Sequence, residues 1–79
     1  MRIGDALSKK ITCFCKDENI SINQFANMCC LTQSTVQHIV EGKSKNPKML
    51  TIIRICDGIG IPLYKFFQDD LFIDLDRED

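Results

Sequence analysis

Tryptophan is absent from this sequence, histidine and tyrosine occur once each, and proline and glycine together number only six. With so few turn formers, and the prolines far apart at Pro47 and Pro62, an all-β chain of many turns is disfavoured and compact helices are favoured. No apolar run approaches the ~18 residues that a membrane span needs. The opening MRIGDALSKK lacks the apolar stretch of a secretory signal, so a cytoplasmic protein without membrane association is expected. Cys-x-x-Cys pairs are missing too, although there are five cysteines: Cys13-x-Cys15, Cys29-Cys30 and Cys56. With His38 as the lone histidine, these spacings do not make a structural zinc set. An odd count without an export signal points to free thiols packed as small hydrophobes. No metal, cofactor or small-molecule ligand is implied. No cysteine shares the helix face of His38, so an enzyme is not expected.

What is present is enough for one modest core. The chain has 79 residues, 44% of them hydrophobic, which excludes wholesale disorder and leaves no room for a second domain core. The net charge of −1 conceals a division. Residues 1–68 carry nine Lys or Arg against five Asp or Glu, whereas residues 69–79 carry one Arg against six acids. A basic body is followed by an acidic tail.

Helical periodicity organises the body. Leu7, Ile11 and Phe14, with Cys15 beside them, mark a first helix from near Asp5 to Asp17, which Asn19 can end in the left-handed conformation. Ser21 and Gln24 form a capping box, and Ile20 and Phe25 a hydrophobic staple, opening a short helix from Ile22 to about Cys29. The design recurs eleven residues on: Thr32 caps a third helix from Gln33 to about Glu41, Leu31 and Val36 staple it, and Gly42 ends it. A polar loop, Gly42 to Pro47, leads to a fourth helix with Leu50, Ile53 and either Ile52 or Cys56 expected to face inward. Pro62 can open a fifth at its first position, carrying Leu63, Phe66 and Phe67.

Two short helices joined by a tight turn at Met28-Cys29-Cys30 make a helix-turn-helix, with Ala26 small enough for a close crossing. On a helical wheel, Gln33, Ser34, Gln37, His38 and Glu41 share one arc, and Thr35, Val36, Ile39 and Val40 the other. The outward arc bears amides, a hydroxyl and an imidazole where a merely solvated face usually bears Lys and Glu. Those groups suit base edges in a DNA major groove. Lys43, Ser44, Lys45, Asn46 and Lys48 follow directly and are placed to hold phosphates.

The segments SINQFANMCCLTQSTVQHIVEGKSKNPKML and ICDGIGIPLYKFF resemble the lambda-repressor/Cro (XRE) family of helix-turn-helix domains. The resemblance runs from Ile11 to Phe67, through Phe25, Ala26, Leu31, Val36, Ile39, Gly42, the basic loop ending in Pro47, and Ile59-Gly60-Ile61. It implies an all-α bundle of five short helices spanning 1–68. It also implies double-stranded DNA as partner and a homodimer, a repressor on a palindromic operator. Base contacts are implied at Gln33, Ser34, Gln37 and His38. Phosphate contacts are implied at the helix N-termini (Asn23, Thr32) and in the loop. The sequence departs from the family at Cys30, where Gly is usual, and at Ile22, where a polar residue often touches phosphate. It departs again at Cys15 and Val40, which replace an Arg–Glu pair and are therefore expected to meet, both buried, between helices one and three.

In the tail, 69–79, Leu71, Ile73 and Leu75 alternate with Phe72, Asp74 and Asp76, a strand-like period. The segment from Leu71 to Leu75 is expected to pack on helix five or across a two-fold dimer, and these three residues, with Tyr64 and Phe67, are the candidate dimer interface. A rival reading keeps the fold but turns it toward protein, as an antitoxin or anti-repressor component, with the acidic tail as a DNA mimic or shield.

Overall fold

A computed structural model describes residues 1–77 of the protein. Glu78 and Asp79, the last two charges of the acidic tail, lie outside the described residues. Five α-helices form the body: α1 (Ile3–Glu18), α2 (Ile22–Met28), α3 (Gln33–Val40), α4 (Met49–Ile59) and α5 (Leu63–Phe66). A 3₁₀ turn at Asp70–Phe72 follows, and no strand occurs among the described residues. No helix among them is long and apolar enough to cross a membrane.

Local chemistry sets most of the boundaries. Asn19 closes α1 at φ 54°, in the left-handed region that Asn tolerates. The Ser21 hydroxyl accepts the Gln24 N–H, and the Gln24 carboxamide accepts the Ser21 N–H, so the capping box is complete. Pro62 stands at the N-cap of α5, one position before its expected place.

The core gathers Leu7, Ile11 and Cys15 of α1, Phe25 and Ala26 of α2, Val36 and Ile39 of α3, Ile52, Ile55 and Cys56 of α4, and Phe66 of α5, with Cys29 from the turn. Phe14 is half-buried and packs edge-on against Phe25 at 5.7 Å.

Three expectations need correction. First, Leu50 and Ile53 face outward, at 56% and 38% exposure, while both Ile52 and Cys56 face inward. The helix carries two apolar stripes. Ile52, Ile55, Cys56 and Ile59 hold the core side because α4 docks on the α2–α3 turn there: a Cβ at Gly58 would stand 2.5 Å from Cys29 Sγ, and Cys29 Sγ lies 3.9 Å from the Ile55 carbonyl.

Second, the tail is not strand-like. Asp69 Oδ1 accepts the Leu71 N–H at 3.0 Å, and Asp69 Oδ2 takes a hydrogen bond from Lys10 Nζ at 2.9 Å. The resulting 3₁₀ turn puts Phe72 against Phe66 and Phe67, at 5.6 and 4.9 Å between ring centroids, and leaves Ile73 70% exposed. Phe72 and Ile73 thus exchange sides relative to the expected alternation, while Leu71 and Leu75 are half-buried and Asp74 and Asp76 exposed. The segment then meets the chain's start: the Asp76 N–H donates to the Met1 carbonyl, and the Met1 ammonium to the Asp74 carbonyl.

Third, Cys15 is buried as expected, but Val40 is only half-buried. The Val40 carbonyl accepts the Ser8 hydroxyl at 2.8 Å, and Ser8 lies about two helical turns, ~10 Å, before Cys15. Cys15 joins Cys29 in the hydrophobic core cluster.

Candidate nucleic-acid interface

The α2–α3 turn is built from backbone bonds and one unusual residue. The Leu31 N–H reaches back to the Ala26 carbonyl at 2.9 Å, and Cys30 sits at φ 57°. A left-handed non-glycine residue stores roughly 1–2 kcal/mol. The turn accepts that strain at the position where Gly was expected. Thr32 then starts α3: its Oγ1 accepts the Thr35 N–H at 3.2 Å and lies 2.8 Å from the Thr35 hydroxyl.

The outward side of α3 has the expected composition. Gln33, Ser34 and His38 are exposed and Gln37 half-buried, while Val36 and Ile39 are buried. At the far end Gly42 adopts φ 76°, and the Gly42 and Lys43 N–H groups return to the Ile39 and His38 carbonyls, closing the helix and launching the basic loop. The loop is seated from beneath. Gly4, in the first turn of α1, leaves room for the Ser44 carbonyl, which a Cβ there would overlap.

Between α3, this loop and the start of α4 lies an open groove of about 460 Å³. Its lining includes Ser34 and His38 from the helix, Ser44 and Asn46 from the loop, and Lys48 and Thr51 at the start of α4. Five of the residues singled out from sequence therefore converge: Ser34, His38, Ser44, Asn46 and Lys48. Gln33 and Gln37 lie on the same side of α3 but outside the groove lining. Lys45 is exposed on the loop, and Asn23 is exposed in the first turn of α2. Thr32 is committed first to its capping bonds. Lys43 Nζ approaches Glu41 Oε1 at 3.4 Å, an exposed pair that water screens.

Thr35 and Thr51 also line the groove and were not singled out. Thr35 was assigned to the core arc of its helix, yet its hydroxyl stays available to Thr32. Thr51 reaches the groove only because α4 returns to α3, which no local pattern announces.

Of the candidate dimer residues, Phe67 is half-buried among Phe66 and Phe72. Leu71 is half-buried beside Lys10 and Asp69 in a second hollow. Leu75 is half-buried, and only Tyr64 and Ile73 stand exposed. All five cysteines are free thiols: Cys13 and Cys30 are exposed, and the others are buried.

No curated protein and no solved structure gives a significant match to the chain. A family model described as helix-turn-helix matches residues 15–66, well over half of the sequence, from the end of α1 to α5. The chain belongs to the helix-turn-helix family of the lambda-repressor (XRE) type, a family of DNA-binding transcription regulators.

Proposed function

We propose that the protein is a sequence-specific repressor that binds a palindromic operator as a homodimer, with α3 in the major groove. The supporting observation is the outward side of α3: an uncharged, hydrogen-bonding surface that opens into a groove rimmed by Lys48, Ser44 and Asn46. Gln33, Ser34, Gln37 and His38 read base edges, and Gln33, first on the helix, projects furthest. Asn23, Thr32, Lys43, Ser44, Lys45, Asn46 and Lys48 touch phosphate and set the docking register. An eight-residue helix is ~12 Å long, so one α3 covers only about three to four base pairs. A second copy, placed one duplex turn (~34 Å) away, supplies the remaining sequence information. The protomer's longest extent of 32 Å fits that spacing.

The test is affinity across salt concentrations, on a duplex selected from a random pool and on its scrambled control. Gln33→Ala is expected to relax preference at one base pair per half-site, an A·T pair, by about 1–3 kcal/mol, because Gln bonds adenine N6 and N7 together. Lys45→Ala is expected to weaken both duplexes alike and to lower the salt slope by about one. Equal loss from Gln33→Ala on both duplexes overturns direct readout. Failure to select any duplex moves the reading to a protein partner.

A further inference from the structure

The hollow beside Leu71, Lys10 and Asp69 has a volume of about 420 Å³. That size falls within the range of small-molecule pockets, roughly 300–1,000 Å³. None of its lining residues lines the groove beside α3. Phe25, Ile55 and Phe66, all fully buried members of the core, give it an apolar lining, which half-buried Phe14, Ile59 and Ile61 extend. These residues come from four helices and the α4–α5 link, so no single stretch of sequence announces the hollow. Charge enters at three places only: Lys10, Asp17 and Asp69. Lys10, Phe14 and Asp17 follow one another at helical spacing along α1, with Lys10 and Asp17 ~10 Å apart along the axis. At one end Lys10 is committed: its ammonium donates to Asp69 Oδ2 at 2.9 Å and lies 5.1 Å from the centroid of the Phe66 ring. At the other end the Asp17 carboxylate is exposed and forms no ion pair with any described residue. One lysine against two carboxylates leaves an excess of negative charge, and the unmatched carboxylate stands at the Asp17 end.

We propose that this hollow binds a small organic cation, an apolar body ending in a protonated amine, with the amine at Asp17. The apolar lining takes the body, and the run of ~10 Å from Lys10 to Asp17 sets its length. Phe14, one turn before Asp17, adds a ring beside the amine, and aromatic faces attract cations. Lys10 repels an amine from the opposite end and so fixes the orientation. An anionic ligand is disfavoured at both ends: its carboxylate meets the like charge of Asp17, or it takes Lys10 from Asp69 and breaks the contact that anchors the 3₁₀ turn. The inference stands apart from DNA recognition and holds whether or not α3 reads base edges.

Titration calorimetry of the full chain with phenylbutylamine, phenylbutanol and phenylbutyrate tests it. The three probes share one apolar body and differ in charge. The amine is expected to bind at least ~5-fold more tightly than the alcohol, and the acid more weakly than either. Asp17→Asn is expected to bring the amine to within about twofold of the alcohol and to leave the alcohol unchanged. Cys13 lines the hollow from an exposed position on α1, so Cys13→Trp is expected to fill it and abolish binding of all the probes. Asp17 is exposed as well, and thermal melts of both variants without probe are expected to match wild type. Equal affinity for amine and alcohol, or tightest binding by the acid, overturns the choice of a cation. Amine binding that Asp17→Asn leaves at wild-type strength overturns Asp17 as its partner. Binding that persists in Cys13→Trp places the probe elsewhere, and an amine that fails to bind wild type at millimolar concentration overturns the site itself.

Discussion

A methyl group added at Gly58 would stand 2.5 Å from Cys29 Sγ and 2.9 Å from Cys29 Cα. Helix propensity alone favours Ala over Gly by up to about 1 kcal/mol inside a helix. Here the propensity gain opposes overpacking against the backbone of the α2–α3 turn, which costs about 1–3 kcal/mol. Gly58→Ala is therefore expected to lower the urea midpoint; a raised midpoint would show that the turn yields freely. The same contact governs a titration. Burial pushes the Cys29 thiol up from its ordinary 9.0 to about 11, reinforced by the neighbouring Cys15, Cys30 and Cys56. A thiol that ionises less readily when folded stabilises the fold fully below its unfolded pKa. That contribution is lost as pH rises through the folded value. Stability is therefore expected to decline between about pH 9 and pH 11, and Cys29→Ala should flatten this decline in urea titrations run at stepped pH.

At the scale of elements, the 3₁₀ turn depends on Asp69, which caps it through Leu71 and binds Lys10. These hydrogen bonds, that to Leu71 foremost, hold the Asp69 carboxyl below its ordinary 3.8. A depressed carboxylate contributes stability above its unfolded pKa and loses it as pH falls below. Asp69→Ala is expected to lower stability by about 1 kcal/mol at neutral pH. The difference from wild type should shrink in acid, and a pH-independent difference would contradict the capping role. Elements fixed by neighbours in sequence were legible before the fold was. Ser21 with Gln24, Thr32, Asn19 and Gly42 announce helix ends within a few residues. The orientation of α4 was not legible, because MLTIIRICDGI offers two apolar stripes and only the bare side of Gly58 against Cys29 selects one. The exchange of Phe72 and Ile73 was hidden for a related reason. One 3₁₀ turn, started by Asp69 and anchored by a lysine from α1, turns Phe72 onto α5 and Ile73 outward. Of the candidate site, the outward residues of α3 were readable from periodicity, whereas Thr51 enters the groove by tertiary return.

For the whole molecule, the division of charge becomes a spatial one. A body of net +4 meets a tail whose first residues fold back onto α1 and Met1. Met1 borders the same surface hollow as Glu41 and Gly42, where α3 ends and the basic loop begins. Its ammonium lies 3.4 Å from Asp76 Oδ1. The Asp74–Asp76 segment therefore sits on the side of the fold that carries the C-terminal end of α3. Its charges oppose those of Lys43 and Lys45 for any phosphate that approaches. Such a field acts within about a Debye length, ~10 Å at 0.1 M salt, and carries no sequence information. Replacing Asp74 and Asp76 together by Asn is expected to raise affinity for specific and scrambled duplexes alike, by roughly threefold at low salt. The ratio between the two duplexes should not change, and the gain should vanish as salt shortens the screening length. Fluorescence anisotropy at two salt concentrations measures both quantities. A gain confined to the specific duplex, or one that survives high salt, would assign the tail a direct contact with the operator in place of a field effect.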